Sequence, residues 1–159
     1  MNRYVAAFIT GIATLAITST ASATVLIAKN LADLTLEAES IVAGTIERVW
    51  AEASDRGVDT FAELRVESRV KGARDESLVR IKTPGGSLGE LDVEVPSAPR
   101  FSVGDEVFLF LGSDLSEPTN VIGWEQGTFS IENGMVVEAG MPLRAFVRRI
   151  QAILENGSH

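Results

Sequence analysis

Between residues 40 and 137, apolar and charged residues alternate in short runs that stop at glycine, proline or asparagine, the pattern of strands with one wet face. Residues 40–53 read as a long strand with Val42, Ile46 and Trp50 on one face. Gly44, in its middle, removes a side chain where a bulge or sharp coil would close a small barrel. After the turn Asp55-Arg56-Gly57, residues 60–70 set Ala62, Leu64, Val66 and Val70 inward against Glu63, Arg65, Glu67 and Arg69 outward. Lys71-Gly72 breaks that run, residues 78–83 follow with Val79 and Ile81 inward, and Pro84-Gly85-Gly86 ends them. Leu91, Val93 and Val95 alternate with Glu90, Asp92 and Glu94 as a further half-buried strand, and Pro96 and Pro99 bracket its exit.

Glu106–Leu111 breaks the alternation, because Val107, Phe108, Leu109, Phe110 and Leu111 are apolar on both faces. Such a run belongs to a central strand covered on each side, with Gly104-Asp105 as the turn into it. Residues 121–124 and 127–131 read as two further short strands, and Asn133-Gly134 is a hairpin turn returning the chain into Met135-Val136-Val137. Ahead of all these, Thr35 is placed as the N-cap of a helical turn over residues 36–40. At the other end the period changes to a helical one. Pro142 suits a helix start, and Leu143, Phe146, Val147, Ile150, Ile153 and Leu154 form an apolar stripe over about residues 142–155. The fold expected is mainly β, an OB-like, partly open β-barrel with one C-terminal α-helix packed against it.

The head of the chain has a different character. Arg3 opens a short basic region, residues 5–17 are mostly apolar, and Ala21-Ser22-Ala23 has small residues at both positions a signal peptidase reads. Residues 1–23 are expected to be a signal peptide cleaved after Ala23, leaving one domain over residues 24–159 in the periplasm or outside the cell. The polar stretch over residues 18–24 argues against an uncleaved anchor, which needs about 20 apolar residues.

Charge and composition remove several chemistries. Fourteen Lys and Arg against 22 Asp and Glu give a net charge of −8, and cleavage would take away Arg3 alone among the ionised side chains. An acidic chain is repelled by phosphate backbones, so nucleic acid is not an expected partner. There is no cysteine, and the single histidine is the terminal His159. Thiol nucleophiles, Ser-His-Asp constellations and His-rich zinc sites each lack a necessary member. Catalytic residues, metal ligands and cofactors are therefore not expected.

Three segments carry a resemblance: Ile41-Val42-Ala43-Gly44-Thr45-Ile46, then Val70-Lys71-Gly72, then Gly104-Asp105 leading into Glu106–Leu111. Their order resembles the landmarks of netrin-like modules, the OB-type barrel of the tissue inhibitors of metalloproteinases, over residues 39–131. It is also similar to bacterial exported domains of this size, some of which occur beside zinc proteases. The resemblance implies the barrel fold. It does not carry over the inhibitory mechanism, because those inhibitors chelate zinc through an amino-terminal cysteine that this chain lacks.

The remaining constellations have plain structural readings. Pro84-Gly85-Gly86-Ser87-Leu88-Gly89 lacks the Lys-Ser/Thr of a phosphate loop and reads as a strand connection at which a barrel presents a binding surface. Glu90, Asp92 and Glu94 read as a solvated strand face, since calcium wants about 6–8 oxygens from a turning loop. Arg65, Arg69, Lys71, Arg74, Arg80 and Lys82, interleaved with Glu63, Glu67, Asp75 and Glu76, read as a cross-strand charge ladder. Trp50, Trp124 and Phe129 are candidates for a stacking platform but read more simply as barrel core. The candidate partner-binding surface comprises Gly85, Gly86 and Gly89 together with Trp124 and Gln126. The function expected is an exported, non-catalytic module that binds another exported protein. A regulator of an exported protease is the alternative of the same fold, and a carboxylate-dependent hydrolase is the alternative of another class.

Overall fold

A computed structural model describes residues 28–72, 76–112 and 118–157. The expected signal peptide and cleavage point lie outside these residues, as do Arg74, Asp75 and His159.

The first element is helix α1, Leu31–Glu37, and Asn30, not Thr35, caps it. The Asn30 side chain accepts from the amides of Ala32 and Asp33 at 2.8 and 3.0 Å, and the Asp33 carboxylate accepts from the Asn30 amide at 3.1 Å. This reciprocal pair satisfies donors that a helix start leaves free. Thr35 sits buried inside the helix, its hydroxyl donating to the Leu31 carbonyl at 2.6 Å.

Two 15-residue strands follow, β1 (Ser40–Ser54) and β2 (Gly57–Lys71), antiparallel and joined by the tight turn at Asp55-Arg56. Next come β3 (Leu78–Pro84), a small hairpin β4 (Gly86–Leu88) and β5 (Leu91–Val93), and β6 (Glu106–Leu111). The last strands are β7 (Thr128–Glu132), β8 (Met135–Val136) and β9 (Met141–Pro142), ahead of helix α2 (Leu143–Asn156). Among the described residues the main sheet has seven strands in the order β3-β2-β1-β6-β7-β8-β9.

The sheet is not closed by strand pairing. Residues 119–122 instead link the edge strand β3 to β6 in the middle of the sheet: the amide of Thr119 donates to Arg80 at 2.9 Å, Lys82 donates to Thr119 at 2.8 Å, and Ile122 donates to Phe110 at 2.9 Å. Thr119 runs parallel to Ile81, while Val121 runs antiparallel to Leu111. The protein is thus a mainly β, partly open barrel of OB-like form with a C-terminal helix against it.

β6 explains why the chain needs two cores. Val107, Leu109 and Leu111 face the barrel interior beside Val42, Ile46 and Leu64. Phe108 and Phe110 face the other way, into a second cluster with Ile41, Phe146 and Ile150. A strand buried on both faces is apolar at every position, as the sequence of β6 is. The amphipathic α2 covers that second face, with Phe146 and Ile150 buried and Leu143, Val147 and Leu154 packed at the margin. Ile153, expected on the same stripe, is partly exposed and outside the cluster.

One strand expectation does not hold and another holds only in part. Residues 121–124 make only the single bridge at Val121 before Trp124–Gly127 turns as a 3-10 helix, with Gly123 at φ 65° and Trp124 at φ 56°. A left-handed pair of residues cannot continue a strand. The run at Leu91 stops at Val93 and pairs only with β4, leaving Leu91 exposed. Its partner strand is three residues long, and Pro96 lacks the amide hydrogen a longer ladder would use.

Candidate functional site

The distal half of β1 builds the most chemically distinctive surface. Ile46 lies opposite Leu64 and Arg48 opposite Glu63, so Glu47 is an extra residue in the β1 strand. A bulge of this kind shifts the inward and outward alternation by one. Val49 therefore takes the inward place opposite Ala62, and Trp50 turns outward opposite Phe61. This corrects the expectation that Trp50 shares a face with Val42 and Ile46.

On the outer face the Trp50 and Phe61 rings stack with centroids 5.5 Å apart and planes at 16°. Arg48 and Arg80 lie 5.1 and 5.6 Å from the Trp50 centroid, and Lys82 lies 5.9 Å from that of Phe61. At such separations a cation is attracted to the ring quadrupole. The indole nitrogen of Trp50 donates to Glu52 at 2.7 Å.

Carboxylates hold the cations in place. Glu63 reaches Arg48 at 3.2 Å and Arg80 at 3.4 Å, and Asp59 reaches Lys82 at 2.7 Å. The side chains of Glu63 and Asp59 are only 15% and 12% exposed, so these pairs are better shielded than ordinary surface pairs. Further along, Arg65 pairs with Glu47 at 3.1 Å. Of the expected cross-strand charge ladder the described residues show Arg80 with Glu63, while Arg65 and Lys82 pair across strands with Glu47 and Asp59, and Arg69 and Lys71 donate to hydroxyl and carbonyl oxygens. The Trp50 and Phe61 rings sit among these pairs.

Of the residues expected at a partner surface, Gly85 and Gly86 line a groove of about 430 Å³. Val49, Trp50 and Ala51 of β1 and Pro99, Arg100 and Phe101 also line it. Gly86 has φ 132°, and a Cβ there would run into the Thr60 hydroxyl, which donates to the Gly85 carbonyl at 2.6 Å. Only glycine permits that approach. Gly89 lies apart, at the tip of the β4-β5 hairpin, with open space around it. The carboxylates beside the groove are engaged locally: Asp92 accepts from Ser87 at 2.6 Å, and Glu94 pairs with Arg100 at 2.7 Å.

Trp124 and Gln126 lie away from this groove, in the 3-10 helix. The Gln126 side chain accepts from the Lys29 amide at 2.7 Å, fixing the segment ahead of α1. Phe129 packs in the second core, 5.0 Å from Phe146. Trp50, Trp124 and Phe129 therefore do not assemble into one platform. The residues that do accompany Trp50, namely Phe61, Arg48 and Arg80, were not singled out for this from sequence. Phe61 alternates with Ala62 and so is an outward aromatic, which is the available signal.

Lys71, at the end of β2, donates through Nζ to the Thr35 and Leu36 carbonyls at 2.9 and 3.0 Å. It thereby covers the C-terminal end of α1, where carbonyls lack helical partners. Burial holds its pKa below the ordinary lysine value.

No protein-family model and no curated protein matches this chain.

Proposed function

We propose that the protein is an exported, non-catalytic binding module that recognises another exported protein through the outer face of β1, β2 and β3. The observation that carries this reading is the Trp50-Phe61 stack, set on an open sheet face with Arg48 and Arg80 beside it. Tryptophan and arginine dominate protein-binding hot spots because they combine large contact area with charge-assisted hydrogen bonding. On an OB-type barrel this is also the strand face that commonly meets ligands. The net charge of −8 favours a protein over a polyanion. Export is supported by the sequence of residues 1–23.

Affinity capture tests the reading. Immobilised protein, exposed to envelope and secreted extracts of its source cells, is expected to retain a protein that the folded Trp50→Ala variant releases. Identical retention by the two proteins, or retention of nothing by either, contradicts the reading.

A further inference from the structure

β1 has partners along both edges only as far as Ile46. Residues 40–45 pair with β6, and Ile46 exchanges bonds with Gly104 and Asp105 at 2.8 and 2.9 Å. From Arg48 to Ser54 the strand pairs with β2 alone among the described residues. Pro99, which lines the same groove as Val49 and Ala51, has no amide hydrogen to offer that edge. An unpaired run of strand backbone is a template for another strand.

We infer that this edge pairs with the same edge of a second copy, giving a weak two-fold dimer whose sheets run together through antiparallel β1 strands. The edge is self-complementary. Across a two-fold axis perpendicular to the sheet, opposed residues must point to the same face, so their numbers share parity. A register centred on Trp50 sets Arg48 opposite Glu52 of the partner subunit, and it does so twice. All three residues lie on the outer face, because Arg48, Trp50 and Glu52 oppose Glu63, Phe61 and Asp59 of β2. On the inner face the same register sets Val49 opposite Ala51, two apolar residues that line the groove. Arg48 is available for the contact, its side chain being 68% exposed. Opposite charges directly across a strand pair stabilise it and like charges destabilise it. The two Trp50 platforms would become neighbours on one continuous face and stay open to a partner. The dimer goes beyond the binding reading and does not depend on it.

Sedimentation equilibrium on the purified protein, with no extract present, tests the inference. The wild type is expected to shift from monomer to dimer as concentration rises. Arg48→Glu and Glu52→Arg, each checked for folding by circular dichroism, are expected to weaken the dimer roughly tenfold or more. The double variant R48E/E52R restores opposite charges across the axis and is expected to recover most of the association. Because Arg48→Glu loses the pair with Glu63 in the single and the double variant alike, recovery isolates the contact between copies. A wild type that stays monomeric at the highest soluble concentration overturns the inference, and so does a dimer that neither single change weakens or that the double change fails to restore.

Discussion

Phe108 of β6 and Phe146 of α2 meet edge to face, with ring centroids 5.1 Å apart and planes at 82°. This places the positive edge of one ring against the negative face of the other, a favoured arrangement of two aromatic rings. Val107 and Leu109, on either side of Phe108 in the chain, point into the barrel interior. The same six-residue strand therefore fills one core and holds the helix over the other.

Replacing Phe146 by alanine removes that contact and the one to Phe129, and leaves a void where the ring was fully buried. The expected loss is about 3–5 kcal/mol of unfolding free energy. Ile153→Ala, on the same helix but outside the cluster, is expected to cost less than about 1.5 kcal/mol. Urea titrations of both variants provide the check, and equal losses would count against the docking described.

Gly44 lies where β1 coils across β2, and a Cβ there would collide with the Arg65 carbonyl. The obstacle is backbone, so no side chain can swing aside. Gly44→Ala is expected to destabilise the protein by about 3 kcal/mol, the upper part of the range for overpacking. A thermal unfolding midpoint unchanged from wild type would show that the strands separate freely at this point.

The pKa of Lys71 is lowered in the fold because burial disfavours its ammonium form, whereas the unfolded chain keeps the ordinary value of 10.5. Between the folded and unfolded values the unfolded chain binds more protons, so this group makes stability rise with pH across that window. The difference in unfolding free energy between wild type and Lys71→Met is accordingly expected to grow in favour of wild type as pH climbs towards 10.5, then level off. Chemical denaturation across that range measures it. A difference that shrinks with rising pH would reverse the sign.

What the sequence revealed and what it hid have separate physical causes. β6 was legible because burial on two faces leaves no polar position in Val107-Phe108-Leu109-Phe110-Leu111. The Asn133-Gly134 turn into β8 and the stripe of Phe146 and Ile150 were legible for the same local reasons. The outward turn of Trp50 was not. It depends on the extra residue Glu47, and a bulge is set by register against β2 and not by any residue type of its own. The bridging residues 119–122 were also hidden in part, since one or two bridges leave no periodic trace. The Asn30 cap, by contrast, was readable: Asn30 and Asp33 stand three apart before the apolar spacing of Leu31 and Leu34, a stronger helix-start pattern than Thr35 provides.

We propose that the Trp50 face meets a partner protein. Photo-crosslinking in living cells tests it most directly, with a benzoylphenylalanine placed by substitution at Trp50 in one strain and at Glu90, on the hairpin tip, in another. The expected result is a discrete adduct to a second protein species from position 50 and none from position 90. Adducts from position 90 alone, or none from position 50 beyond the chain itself, would contradict it.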